Sequence, residues 1–222
     1  MSQTQGMDDG FLDAVGRMSE DEFLGRYGPW DPMAPADVAA ELAGCAVPWW
    51  IAGGRAARAG AAARRHDDTD VAVLARDVDA IRAAMAGWHL WENIDGALRP
   101  LLPGVPVRAA CEQLWVRRDA RSPWRMEFVI DRVSTGAEWV FKRDESVRLP
   151  WDLAVHSVAG IGYLRPEVAL LFKAKLDRDK DRADLAAARL SDEGRAWLAK
   201  SLDRLGYAEW AGLLQSSARA PG

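Results

Sequence analysis

The most informative segment of the sequence is GGRAARAGAAARRHDDTDVAV, residues 53–73. It opens with two glycines, continues through alanines and arginines, and ends with a histidine, three aspartates and the beginning of an apolar stretch. Only one residue separates Asp68 from Asp70, so their carboxylates repel each other. This repulsion opposes folding unless a positive charge lies between them. The spacing therefore suggests a bound cation.

The composition is that of a globular protein with enough length for a core. The chain has 222 residues, of which 49% are hydrophobic and 28% charged. Its net charge of −4 counts weakly against a protein that wraps nucleic acid, which usually carries a basic surplus. The two cysteines form no CxxC pair, and the sequence shows neither a basic-apolar leader nor an apolar run of membrane-spanning length. We therefore expect a cytoplasmic protein with no membrane segment.

Apolar periodicity and turn residues predict an α/β region followed by helices. Strands are predicted at 47–54 (with the glycine pair at its end), 69–74, 88–94, 112–118, 124–131 and 137–142, the last three as a meander. Helices are predicted at 8–27, 37–42, 55–63, from Asp77 onwards, and from Pro166 nearly to the end, where Ser191 caps a separate helix. We expect an α/β domain over 1–150, with N-terminal helices over 8–45, and a helical domain over 151–222.

Asp68 and Asp70 lie on one side of an extended chain, because side chains alternate along it. Two carboxylates at the end of a strand are typical ligands of a hard divalent cation such as magnesium. A third acid should come from a neighbouring strand, and we expect Glu127, which is flanked by apolar residues, on an adjacent antiparallel strand. Asp131 lies four residues further on, towards the same face, so the third acid is either Glu127 or Asp131.

A solvated turn over 67–70 is an equally simple interpretation of the acids alone. Gly53 and Gly54 favour the functional interpretation, because glycines between a strand and a helix let backbone N–H groups approach phosphate oxygens. A glycine pair alone is weak evidence, since turns often contain one. Followed by D-x-D at the start of a second strand and by an apolar-flanked Glu on a later strand, it forms a much more specific pattern.

This pattern resembles that of the nucleotidyltransferase superfamily of DNA polymerase beta-like folds. The resemblance extends to the aminoglycoside 2″-adenylyltransferase-like family through six segments in a similar order. They are PWWIAGG (48–54), HDDTDVAVL (66–74), GALRP (96–100), EWVFKRD (138–144), IGYLRPEVALLFKAK (161–175) and KDRADL (180–185). It implies an α+β fold with a nucleotidyltransferase-type mixed sheet flanked by helices, and a C-terminal helical part. It also implies magnesium-dependent transfer of a nucleoside monophosphate, AMP from ATP, to an acceptor hydroxyl.

The resemblance assigns roles to individual residues. Asp68, Asp70 and Glu127 would hold the metal, and Glu127 would accept the proton of the attacking hydroxyl. The residues expected to bind the nucleotide are Gly53, Gly54, Arg55, His66, Lys173 and Lys180. Two departures from the family stand out: Arg55 replaces the usual tryptophan after the glycine pair, and Thr69 replaces an aliphatic residue between the acids.

The two lysines have a plainer interpretation. Positive charge is needed where pyrophosphate departs, and the candidates are Lys173, Lys175 and Lys180. The resemblance to the family favours Lys173 and Lys180 as functional residues. They share a face only if one helix runs unbroken between them. Otherwise both are solvated helix lysines paired with acids of the same segment, namely Asp177, Asp181 and Asp184.

Three hypotheses about function follow. The first is transfer to a small-molecule hydroxyl, with an aminoglycoside among the candidate acceptors; such a polycation would need spare carboxylates. The candidates for these carboxylates are Asp67, Glu92, Asp95, Asp131, Glu138 and Asp144. The second is a toxin-like nucleotidyltransferase that modifies tRNA or protein, supported by a basic run of Arg55, Arg58, Arg64 and Arg65. The third is a non-catalytic nucleotide-binding protein, which would not need three close acids.

Overall fold

The computed structural model describes residues 18–61 and 64–217. Residues 8–17 of the helical segment predicted over 8–27 lie outside the described residues. Its remainder is the first helix of the structure, Glu20–Tyr27.

Short strands and helices follow one another through the described residues. The strands are β1 (Trp49–Ile51), β2 (Asp70–Leu74), β3 (His89–Ile94), β4 (Ala97–Pro100), β5 (Gln113–Arg117), β6 (Met126–Asp131), β7 (Glu138–Val140), β8 (Arg148–Pro150), β9 (Val155–Val158) and β10 (Ile161–Leu164). The helices are α1 (Glu20–Tyr27), α2 (Pro35–Glu41), α3 (Gly53–Ala57), α4 (Val78–Ala84), α5 (Trp151–Ala154), α6 (Pro166–Lys173), α7 (Asp179–Ala187), α8 (Asp192–Arg204) and α9 (Ala208–Ser217). The α+β class predicted from the sequence is confirmed.

The chain forms two compact units, and each combines two separate stretches of sequence. The first lies within Met1–Trp49 and Asp67–Arg132, and the second within Trp50–His66 and Val133–Gly222. This division differs from the predicted boundary between 150 and 151. Residues 50–66 belong with the C-terminal stretch because Ile51 of β1 is the parallel partner of Tyr163 in β10, and because α3 packs against α6.

The first unit contains a mixed sheet with the strand order β4–β3–β5–β6–β2. β2 and β6 run parallel, whereas the other neighbouring pairs are antiparallel. Asp95 and Gly96 join β3 to β4 and both have a positive φ, 51° and 76°, as a tight two-residue hairpin turn requires. The mixed sheet predicted from the sequence is therefore present in this unit.

The two faces of this sheet differ in chemistry. One face is apolar and fully buried, and it includes Val71, Val73, Leu114, Val116 and Phe128. The other carries the predicted acids near the start of β2 and β6. It also carries an aromatic cluster, formed by Tyr27, Trp30, Trp91, Trp115 and Trp124. Arg117 lies over the rings of Trp91 and Trp124, 4.6 and 4.3 Å from their centroids, which stabilises its charge among the aromatics.

The second unit combines a small sheet with most of the helices. β10 pairs in parallel with β1 and antiparallel with β9, while β7 and β8 form a separate antiparallel pair. α6 is buried along most of its length and packs against α3 and α8. Across the described part of the chain, the structure contains no helix with the length and apolar character needed to cross a membrane.

Three predicted elements differ from the structure. The helix predicted over 55–63 is α3, which begins at Gly53 and ends at Ala57; the positive φ of Gly60 stops it, and positions 62 and 63 lie outside the described residues. The predicted meander ends at β6, because β7 finds its hydrogen-bond partners in β8. The C-terminal part begins with the antiparallel strands β9 and β10 before its helices.

Ser191 provides a test of the helical part. It caps α8, as the sequence predicts, and its hydroxyl accepts a hydrogen bond from the Gly194 N–H at 3.0 Å. We expect Ser191→Ala to lower the free energy of unfolding by about 1 kcal/mol, because an N–H group of the first turn loses its partner. Urea denaturation followed by circular dichroism measures the change.

Ser216→Ala is the matched control. The Ser216 hydroxyl donates to the Gly212 carbonyl on the exposed side of α9, so its loss should change the free energy of unfolding by less than about 0.5 kcal/mol. Equal losses in the two variants would contradict a capping role.

Candidate functional site

The predicted acids come together through the pairing of β2 with β6. Asp70 is the register partner of Glu127, and the Glu127 N–H donates to the Thr69 carbonyl at 2.9 Å. Register partners point to the same face of a sheet, so the carboxyl groups of Asp70 and Glu127 lie side by side. The charge of Asp68, two residues earlier, also acts on Glu127.

The prediction that Glu127 lies on an antiparallel neighbour is wrong. β2 and β6 are parallel, and the antiparallel neighbour of β6 is β5 on its other side. Parallel pairing brings the N-terminal ends of two strands together. Asp70 and Glu127 meet because each stands at the start of its strand.

Thr69 fixes the direction of the acids on either side of it. Its side chain is completely buried, and its hydroxyl donates to the Met33 carbonyl at 2.7 Å. Because side chains alternate, a Thr69 that points into the interior turns Asp68 and Asp70 to the opposite face. Thr69, which replaces the aliphatic residue of the family pattern, is thus still buried and also makes a hydrogen bond.

Glu127 is in an unusual electrostatic environment. Only 8% of the residue is exposed, and this burial raises the pKa of its carboxyl well above the usual range; the charge of Asp70, a hydrogen bond shared with Asp70 and the charge of Asp68 raise it further. The indole N–H of Trp115 opposes the rise but makes no regular hydrogen bond. The raised pKa favours the protonated form of Glu127, and a cation between the acids would favour its ionised form.

The donor set suits a magnesium ion in its chemistry. Magnesium prefers carboxylate oxygens, and the groups that act most strongly on Glu127 are two carboxylates and an indole, none of them a cation. Within the described ranges, however, the structure contains no group of three or more His, Cys, Asp or Glu side chains with the geometry to hold a metal ion. The acids thus fit the ion by charge and ligand type without a preformed three-ligand geometry.

The register separates the two candidates for the third acid. Asp131 is opposite Leu74, whereas Glu127 is opposite Asp70. Four residues of strand separate the two acids, about 13 Å along β6. Asp131 shares the face of Glu127 but lies at the other end of the strand.

Two residues beside Glu127 were missed from the sequence. The Gln113 side chain donates from Nε2 to Oε1 of Glu127 at 3.2 Å, and the Asn93 side chain donates from Nδ2 to Oε1 of Gln113 at 3.0 Å. A partial sequence signal existed, because Gln113 is a polar residue directly before the apolar residues 114–116 and alternation places it on the face of Trp115. That Trp115 is the register partner of Glu127 is known only from the structure.

In the second unit, the glycine pair has a structural reason. Gly53 has a φ of 56°, which favours glycine. A Cβ on Gly54 would lie 2.7 Å from Nη2 of Arg64 and 3.2 Å from Nδ1 of His66. Gly54 is therefore required so that Arg64 and His66 can pack against the start of α3.

Asp184 holds Arg64 in that position. Its two oxygens accept from Nε and Nη2 of Arg64, both at 2.9 Å, and it also pairs with Arg58 at 3.6 Å. Burial alone raises the pKa of Asp184, but its hydrogen bond with Arg64 and the charge of Lys173 outweigh burial and hold the pKa below the usual range. The carboxylate stays charged and the arginine stays fixed.

Lys173 is buried, with 7% of the residue exposed, and does not lie on a solvated helix face. Its Nζ is 2.7 Å from Asp181 and 3.1 Å from Asp184. These are two of the three acids expected in the plainer interpretation, but the pairs are buried.

Lys180 does not share a helix with Lys173. α6 ends at Lys173 and α7 begins at Asp179, because Asp177 between them adopts a positive φ of 48°. Lys180 is an exposed residue in the first turn of α7. Its role in nucleotide binding remains a prediction.

His66 is neutral at pH 7. Burial, together with the charges of Arg64, Arg55 and Arg58, lowers the pKa of its imidazole to about 4 and outweighs the opposing charge of Asp184. The local potential is therefore positive, as a site for an anionic group requires.

No protein-family model matches the chain, and no curated protein matches it. Similar solved structures include ANT(2″)-Ia in complex with adenylyl-2″-tobramycin, with 14% sequence identity, a TM-score of 0.40, and coverage of 82% of this chain and 94% of that one. A solution structure of the antibiotic-resistance factor ANT(2″)-Ia has 15% identity and a TM-score of 0.38, covering 83% and 88%. Structural similarity at these TM-scores and identities does not indicate an activity for this chain.

Glu127 should make stability depend on pH. Its pKa is raised in the folded state, so its contribution to stability is fully present below its ordinary pKa of 4.5 and is lost as the pH rises towards the raised value. We expect the free energy of unfolding to fall across this window by up to about 1.4 kcal/mol per pH unit. Glu127→Gln, which cannot titrate, should lack this part of the slope.

Urea denaturation between pH 5 and 8, without divalent cations, measures the slopes of both proteins. Groups distant from the acidic site have the same environment in both proteins, so the difference between the slopes reports Glu127 together with the acids that interact with it. Identical slopes would contradict the raised pKa.

Gly54→Ala should destabilise the second unit. The new Cβ would meet Arg64 and His66, so we expect a loss of about 1–3 kcal/mol in the free energy of unfolding. Gly212→Ala in α9 is the control, because its Cβ meets nothing within 4 Å and alanine favours the helix by about 0.5–1 kcal/mol. Thermal or urea denaturation measures both variants. A change in the free energy of unfolding of the same sign in both would contradict the close packing at Gly54.

Proposed function

We propose that the chain is a magnesium-dependent nucleotidyltransferase that moves a nucleoside monophosphate, AMP from ATP, to a hydroxyl group of a small molecule. The observation that carries the proposal is the register pair of Asp70 and Glu127, two adjacent carboxyl groups whose charges repel each other; within the described residues, the groups that act most strongly on Glu127 include no cation. Such a pair weakens the fold unless a cation or a proton lies between the acids.

The acids of the first unit have distinct roles in this proposal. Asp68 and Asp70 hold the metal, which, when bound, neutralises phosphate charge and supports attack by the hydroxyl. Glu127 shares the metal and accepts the proton of the attacking hydroxyl. A buried carboxyl with a raised pKa is a better proton acceptor once ionised than an exposed one, which supports this role.

The second unit supplies the residues proposed for the nucleotide. Gly53, Gly54, Arg55 and His66 bind the phosphates, with Lys173 and Lys180 assigned to the departing pyrophosphate as the sequence predicts. The positive potential around His66 supports anion binding by this segment. Asp184 contributes indirectly, because it fixes the Arg64 guanidinium against the glycine pair.

The acidic face supports a cationic acceptor such as an aminoglycoside. Asp70, Glu127 and Asp131 lie on one face of the sheet, so this face carries an acid, Asp131, beyond those assigned to the metal. Three of the other acids considered for this role are engaged: Glu92 pairs with Arg108, Glu138 with Arg148 and Asp144 with Arg204.

The basic run that would favour tRNA is weaker than the sequence suggests. Arg58 and Arg64 both pair with Asp184, so two of its four charges are partly neutralised within the second unit. This observation supports a small-molecule acceptor over RNA.

The activity is tested with purified protein, magnesium and ATP labelled in its α-phosphate, offered a panel of aminoglycosides and, separately, tRNA. We expect label on an aminoglycoside and release of pyrophosphate. Asp70→Asn should lower kcat by at least about 100-fold, because a metal ligand is lost. Label on tRNA alone would overturn the acceptor, and no transfer of label would overturn the proposal.

Two variants sharpen this result. Glu127→Gln should lose activity, whereas Asp131→Asn should keep kcat within about threefold of the wild type, because Asp131 lies about 13 Å along the strand from Glu127 and is considered only for the acceptor. Asp79→Asn, an exposed pair with Arg82 on α4, is the control for a lost surface charge. A loss confined to Asp131→Asn would reassign the third acid.

A further inference from the structure

A continuous row of hydrogen bonds in the first unit leads from a turn to Glu127. The Gly96 backbone N–H donates to Oδ1 of Asn93 at 3.1 Å. Nδ2 of Asn93 donates to Oε1 of Gln113, and Nε2 of Gln113 donates to Oε1 of Glu127. The row crosses β3, β5 and β6 and ends on a proposed catalytic carboxyl.

The direction of the row is fixed at its far end. A side-chain amide can in principle be turned over, which exchanges its donor and acceptor. The Gly96 N–H can only donate, so Oδ1 of Asn93 must face it and Nδ2 must face Gln113. The same argument turns Oε1 of Gln113 towards Asn93 and its Nε2 towards Glu127.

The hairpin turn places that first donor. Asp95 and Gly96 occupy the two central positions of the β3–β4 turn, both at positive φ, and their geometry directs the Gly96 N–H back to Asn93. Asn93 is only 5% exposed, so its amide must be satisfied within the protein. The turn therefore determines which group Gln113 presents to Glu127.

We propose that Gln113, oriented by Asn93, is a positioning residue that holds Oε1 of Glu127 and reserves Oε2 for the metal and the acceptor hydroxyl. The proposal rests on the function proposed above, since it assigns a task to Glu127. A buried row of amides adds little to stability compared with apolar residues of the same shape. Its effect is on orientation, because each member admits one arrangement.

Asn93→Asp tests the direction of the row without a change in volume. The new carboxylate still accepts from Gly96 but cannot donate, so the Gln113 amide turns over to donate to it. Glu127 then faces an acceptor instead of a donor. Asn93 itself touches neither the metal nor the substrate in this scheme. Asn93→Asp also adds a charge, so the double variant with Gln113→Leu separates an effect through Gln113 from an effect of that charge.

The experiment compares the wild type, Asn93→Asp, Gln113→Leu and the double variant. We expect each single variant to lower kcat by about 10- to 100-fold, with the KM for ATP within about threefold. The double variant should be no worse than Gln113→Leu, because Asn93 acts through Gln113. Calorimetric titration with Mn²⁺ alone, without nucleotide, should show weaker binding in both single variants.

The outcomes distinguish failure of the positioning role of Gln113 from failure of the proposed nucleotidyltransferase function. If the wild type neither transfers label nor binds Mn²⁺, the proposed function fails, and the positioning role fails with it. If the wild type does both, and Asn93→Asp retains its kcat and Mn²⁺ affinity, the positioning role alone is overturned. Multiplicative losses in the double variant would also overturn it.

Stability is measured alongside. If Gln113→Leu unfolds, Gln113→Asn replaces it, because a shorter amide keeps the polarity but withdraws the donor from Glu127. If the folded variants have a lower free energy of unfolding but an unchanged kcat, the row of hydrogen bonds only stabilises the fold, and the proposal is contradicted.

Discussion

The parallel register of β2 with β6 is the constraint on which the acidic site depends. It sets Asp70 beside Glu127 at the start of both strands, in a position where the negative charge of each disfavours the negative charge of the other. Thr69 maintains this arrangement from the opposite side of the strand, since its buried hydroxyl bonds the Met33 carbonyl. A shift of one residue would exchange these faces, burying the acids and exposing the threonine.

The second unit treats charge differently. There the buried carboxylates of Asp181 and Asp184 meet the Lys173 ammonium, and Asp184 also meets the Arg64 guanidinium, so opposite charges balance within the fold. The loss of one partner would leave another charge buried alone, which costs more than the pair contributes. The contrast concerns two sites: the groups that act most strongly on Glu127 in the first unit include no cation, whereas Asp181 and Asp184 in the second unit pair with cations.

Local patterns predicted much of this arrangement, and long-range pairing accounts for most of the remainder. Alternation placed Asp68 and Asp70 on one side, Pro166 began α6, and Ser191 capped α8, because each depends on a few adjacent residues. The direction of β6 depends on its pairing with both β5 and β2, so neighbouring residues along the chain do not determine it. The burial of Lys173 and the orientation of Gln113 depend on partners brought close by the fold.

The discontinuity of the two units has a consequence for how the chain is made. Residues 50–66 belong to the second unit, yet the whole stretch 67–132 is synthesised before the rest of that unit begins at Val133. The contact between Arg64 and Asp184 closes a loop of 120 residues. During translation, α3 and Arg64 are therefore made before Asp184, and residues 67–132 of the first unit are synthesised between them. Formation of the second unit therefore has to follow synthesis of the residues from Val133 onwards.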